Sequence, residues 1–77
     1  MNTRRLNIKR NNQGVGEAQL AAALLAATAL PSDQATALAR AVVQPPAHIE
    51  WAVGSSFPVE QVADVLIKQG FEVAFDA

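Results

Sequence analysis

Three short segments alternate apolar and polar residues, and that alternation constrains the fold more than any other feature of the chain. In 4–10, Leu6 and Ile8 share one side of an extended backbone. In 48–53, Ile49, Trp51 and Val53 do so, with His48, Glu50 and Ala52 opposite. In 71–75, Phe71, Val73 and Phe75 face one way and Glu72 and Ala74 the other. Successive side chains of a strand point to opposite faces, so each segment reads as a strand with one apolar face. A sheet built from such strands must bury that face under a second layer.

The intervening residues supply that layer. Residues 17–29 read as a helix that starts near Asn12 or Gly16, with Glu17 in its first turn. Leu20 and Leu24 are four apart, and Leu25 widens the stripe. Pro31 stops this helix, because the residue before a proline is pushed out of the helical region. Ser32-Asp33-Gln34 offers an N-cap for a second helix to about Val43, with Ala35, Leu38 and Val42 on its apolar side, Ala39 and Val43 beside them, and Arg40 facing away. Pro45-Pro46 ends it. Gly54-Ser55-Ser56 is a loop that also offers a cap, and Pro58 fits the first turn of a third helix to about Gln69. There Val59, Val62 and Leu66 line one face, Val65 and Ile67 broaden it, and Asp64 and Lys68 form an i, i+4 pair. Gly70 is a left-handed terminator.

The order strand, helix, helix, strand, helix, strand implies a single domain over residues 1–77. Its class is an α/β two-layer sandwich: a three-stranded sheet with helices on one face. The helical crossover lets the second and third strands run parallel. If they are adjacent, Trp51, Phe71 and Phe75 meet the helices as one aromatic-aliphatic core, with Val73 between the two phenylalanines. Trp51→Ala would then abolish cooperative folding.

Composition narrows the chemistry. The chain has 77 residues, no cysteine and one histidine, so neither a disulfide nor a Cys/His zinc site holds it together. Core packing or self-association must do so. A cysteine-free chain suits a reducing compartment, and a cytoplasmic location is expected. Charge is divided: Arg4, Arg5, Lys9 and Arg10 precede every acid, while residues 11–77 carry two cations against seven acids. Arg4-Arg5 followed by the Ala/Leu run at 18–30, with Ala27-Thr28-Ala29, partly matches a twin-arginine export signal. Asn7 at the usual aromatic position and the polar stretch from Asn11 to Glu17 speak against it. No stretch reaches the ~18–20 unbroken apolar residues of a membrane span.

No arrangement of residues reads as a catalytic or cofactor motif. His48 has only Glu50 beside it at i+2, a weak surface pair. The carboxylates Asp33, Glu60, Asp64, Glu72 and Asp76 read as capping and solvated faces rather than acid/base or metal pairs. Gly14-Val15-Gly16 stands between a strand and a helix, the context of anion binding at a helix N-terminus, but lacks the further glycine or lysine of a phosphate loop. Arg4, Arg5, Lys9 and Arg10 are candidate nucleic-acid contacts through phosphates. Alternation places Arg4 and Arg10 on the Leu6/Ile8 side and Arg5 and Lys9 on the other. No aromatic lies among them, and a charged edge strand that deters edge pairing is the plainer reading. Small apolar residues on the first helix (Ala22, Ala26, Ala29) and on the outer sheet face (Ala52, Ala74) are a candidate partner surface, for another protein or a second copy.

The chain also resembles the C-terminal domain of the bacterial ribosomal stalk protein, and shares its broad architecture with the N-end-rule protease adaptor. Thr28-Ala29-Leu30-Pro31-Ser32-Asp33-Gln34-Ala35 looks like the stalk family's tight turn between its first two helices. Pro45-Pro46 falls where that family ends its second helix. Residues 55–69 resemble its third helix, with Val62 and Leu66 at matching positions, and Gln69-Gly70-Phe71-Glu72-Val73 resembles its final turn and strand. The resemblance covers nearly the whole chain and implies the same α/β sandwich and a protein-binding activity. It departs at the lysines and arginines of the first two helices, through which the stalk domain recruits translation GTPases: residues 17–39 contain neither. The adaptor's acidic pocket for an N-terminal amine is not recognisable.

The expected function is therefore a small non-enzymatic protein-interaction module without cofactor, metal or membrane association. A nucleic-acid- or ribosome-associated protein using the basic N-terminal strand is the alternative. A phage or mobile-element accessory or inhibitor protein is a further one.

Overall fold

The protein is described by a computed structural model over residues 2–76. The elements are β1 (Thr3–Asn11), α1 (Glu17–Ala27), α2 (Ser32–Val42), β2 (Ala47–Ala52), α3 (Val59–Lys68) and β3 (Phe71–Asp76), in the expected order. The strands form one antiparallel sheet in the order β2-β1-β3. The first strand is thus the central one. β2 and β3 run parallel to each other, because each is antiparallel to β1, but β1 separates them. The expected charged edge strand is corrected on this point: β1 has a partner on both sides.

The helices cover one face of the sheet. Leu6 and Ile8 from β1, Ile49 from β2 and Phe71 from β3 are buried on it. Leu20 and Leu24 of α1, Ala35, Ala39 and Val42 of α2, and Val62, Val65 and Leu66 of α3 meet them. α1 lies between α2 and α3, α2 packs on β2, and α3 packs on β3. The largest fully buried side chains are aliphatic, each contributing roughly 1.5–3 kcal/mol by its burial. The expected aromatic core is corrected accordingly. Phe71 pairs with Asn11 at one end of the sheet, whereas Trp51 pairs with Arg4 at the other. Only Phe71 is buried; Trp51 packs half-buried against the core, and Phe75 is 52% exposed.

A bulge resets the alternation of β1. Ile8 pairs with Val73 and Arg10 with Glu72, so two steps along β1 match one along β3. The extra residue turns Arg10 to the open face beside Glu72 and turns Asn11 inward opposite Phe71. Asn11 fastens the helical layer from there. Its Nδ2 donates to the Val15 carbonyl at 3.0 Å and the Val43 carbonyl at 3.2 Å, and its Oδ1 accepts from the Val15 N–H at 3.1 Å. One side chain thereby ties the end of the central strand to the start of α1 and the end of α2.

The helix ends differ in detail from the expected caps. Gly16 is the N-cap of α1, but Pro31 and Pro58 hold that place for α2 and α3, and no side chain caps the N-terminus of any of the three. Ser32 is the first helical residue rather than the cap. Leu25 and Ile67 do not join the core but stand 43% and 58% exposed, on the outer sides of α1 and α3. Val53 falls past the end of β2 and is 55% exposed.

Candidate functional site

The most distinctive surface lies where the strands outrun the helices. The last residues of β2 bring Trp51 to the helix-facing side, the end of β3 brings Phe75, and the loop before α3 brings Phe57. Trp51 and Phe57 stack with ring centroids 6.0 Å apart and planes at 22°. Phe75 meets Trp51 edge-on at 6.2 Å and 86°. Both separations fall in the range aromatic pairs favour. An open cleft of about 560 Å³ adjoins the cluster, between the α1–α2 turn (Leu30, Pro31) and the β2–α3 loop (Phe57, Pro58). α1 ends at Ala27 and α2 begins at Ser32, and the connection between them forms that side of the cleft. The result is an apolar, half-exposed end, and Val53, two residues beyond Trp51, is exposed as well.

The four basic residues are not gathered into one surface. Arg5 is on the open sheet face, where its Nε and Nη2 reach Glu50 Oε1 at 3.1 and 2.7 Å. Arg10 stands opposite Glu72 on that face. Lys9 lies in the bulge. Arg4 alone points to the helix-facing side, in register with Trp51. The sequence reading found no aromatic among the cations, because Trp51 is remote along the chain and becomes a neighbour only through the β1–β2 pairing. The helix-facing register of Arg4 follows from the alternation; the presence of Trp51 there does not.

The alanines divide as well. Ala22, Ala26 and Ala29 are exposed on and just after α1, on the outside of the helical layer. Ala52 and Ala74 are half-buried on the opposite side of the molecule, in the two edge strands with β1 between them. They do not make one surface.

The remaining candidates stay apart. His48 Nε2 is 3.6 Å from Glu50 Oε1 on the open face, and that carboxylate is already held by Arg5. The turn at Gly14 leads into α1, and a shallow pocket there is lined by Gly16, Glu17 and Arg40. Glu17 is bound to Arg40 at 2.7 Å in that pocket, so a carboxylate already stands where an anion would sit. Asp64 pairs with Lys68 at 2.9 Å, as the spacing implied. The side chain of Asp76 lies outside the described residues. Among the described residues, no group of three or more acids or histidines is placed to hold a metal ion, and no helix is long and apolar enough to cross a membrane.

No protein-family model matches the chain, and comparison with curated proteins and with solved structures returned no match.

Proposed function

We propose that this domain acts by binding another protein, without catalysis, and that the partner docks on the aromatic end formed by Trp51, Phe57 and Phe75. One observation supports this above the rest. Phe75 is more than half exposed against a pre-formed aromatic stack, and so is Val53 two residues beyond Trp51, in a domain too small to leave apolar area uncovered cheaply. Aromatic side chains combine large contact area with few rotamers to freeze, and interface hot spots are enriched in tryptophan for that reason. The reading agrees with the class of activity that the stalk-domain resemblance implies, but it uses a different surface from the basic helices of that family.

The direct test is capture of displayed protein fragments on the immobilised full chain, in parallel with the Phe75→Ser and Val53→Asp variants. Fragments held by the wild type and lost from both folded variants are expected. Fragments held equally by all three would place the binding surface elsewhere, and no retained fragment would refute the reading.

A further inference from the structure

We propose that the segment docked on the aromatic end is an acidic peptide with an apolar anchor, and that Arg4 selects its charge; the proposal rests on the docking reading above. Arg4 is opposite Trp51, and the next residue of β1 on the same face, Leu6, is opposite Phe75. Arg4 therefore leaves the strand on the face that carries both rings. It is exposed, and among the described residues no carboxylate pairs with it. Arg5, one residue on and on the other face, is by contrast held by Glu50.

Of the acids nearest the patch by chain position, Glu50 is held by Arg5 on the open face, the side chain of Asp76 lies outside the described residues, and Asp33 and Glu60 stand in the first turns of α2 and α3, where the helix termini offset their charge. Among the described residues, the unbalanced group at the patch is thus a cation. A carboxylate brought to it beside apolar rings would form a charge-assisted bond in a partly desolvated place, while an apolar anchor covered Phe75 and Val53.

Two other occupants fit less well. A second copy related by a two-fold axis would bring the same patch to itself, adding a second unbalanced cation and, among the described residues, no carboxylate to meet either one. A nucleic-acid strand needs a row of free cations to neutralise phosphates. Arg5 is bound to Glu50, Arg10 faces Glu72, and Lys9 is about 16 Å further along the strand at 3.3 Å per residue.

The test is selection from a random-peptide display library on the full chain, run in parallel on wild type, Arg4→Glu and Phe75→Ser, with folding of each checked by circular dichroism. The wild-type pool is expected to carry Asp or Glu next to aromatic or leucine anchors. Its members should lose about tenfold or more in affinity for Arg4→Glu, and selection on that variant should turn toward basic peptides. A neutral or basic wild-type pool that Phe75→Ser fails to hold would overturn the charge assignment and leave the docking reading standing. An acidic pool indifferent to Arg4→Glu would do the same. No enrichment at all overturns both. A labelled oligothymidylate bound with a steep salt dependence that Arg4→Glu removes would make the occupant a nucleic acid instead, and would also overturn the proposal.

Discussion

Gly70 is the position where one added methyl group has the most to disturb. It follows the last turn of α3 with φ +93°, a conformation that costs a residue with a Cβ about 1–2 kcal/mol. Its surroundings add to this. The Asn12 N–H donates to the Gly70 carbonyl at 2.9 Å, so the β1–α1 turn lies directly on the α3–β3 turn. A Cβ at position 70 would run into Cγ of Gln13 and stand 2.9 Å from its Cβ. The second atom is fixed to the backbone, so a rotamer change of Gln13 does not clear it. Relief requires the turn to move and the Asn12 bond to stretch, an overpacking cost of roughly 1–3 kcal/mol. The stiffer unfolded chain of the alanine variant offsets about 0.4–1 kcal/mol. Gly70→Ala should therefore destabilise by about 1–5 kcal/mol against a total of roughly 4–12 kcal/mol for this length. Urea unfolding followed by Trp51 fluorescence reads the loss as a lower midpoint at unchanged slope. Repeating the substitution in a Gln13→Gly background removes the clash and leaves the dihedral cost. The coupling between the two sites should be at least about 1 kcal/mol. An unshifted midpoint for Gly70→Ala, or the same loss in both backgrounds, would refute the steric account.

Three further outcomes follow from the packing. Leu24→Ala should cost about 2–5 kcal/mol, whereas Trp51→Ala should cost less and still melt cooperatively, because only the leucine is fully enclosed; thermal melts of the two decide the order. Asn11→Leu should cost about 1–3 kcal/mol by stranding the Val15 N–H and the Val43 carbonyl, seen as faster hydrogen exchange at the start of α1. Arg5→Ala should change stability by no more than about 1 kcal/mol, since its pair with Glu50 is half exposed, and added salt should shrink the difference. An effect several times larger would show that the open sheet face is covered.

The sequence carries the elements and their order almost completely, because alternation and helical spacing are local signals and the prolines and Gly70 mark their ends. Strand order is not a local signal. Nothing in Leu6 and Ile8 distinguishes a central strand from an edge one, and an extra residue at Lys9 reverses Arg10 without disturbing the apolar pattern on either side. The exposure of the aromatic end is hidden from the sequence for a related reason. Alternation correctly aims Phe75 at the helix layer, but its burial depends on how far the helices extend over it, which is a property of the assembled layers. Leu25 and Ile67 extend apolar stripes that are wider than the faces actually covered. The alanines of α1 read as a partner surface because they are small and uncharged; their placement opposite Ala52 and Ala74 emerges only from the packing of the helices on the sheet.

The central position of β1 bears on how the chain acquires its structure. The first strand pairs with the fourth and sixth elements, so the contacts that complete the sheet join residues about 40–50 and 60–70 positions apart. Such distant pairing must overcome loop-closure entropy before it yields any stability, which slows folding relative to a helical bundle of the same size. During synthesis β1 has no partner until β2 emerges, and keeps one open edge until β3 follows. Lys9 and Arg10 lie on that strand throughout the wait, where charge discourages the exposed backbone from pairing with another chain.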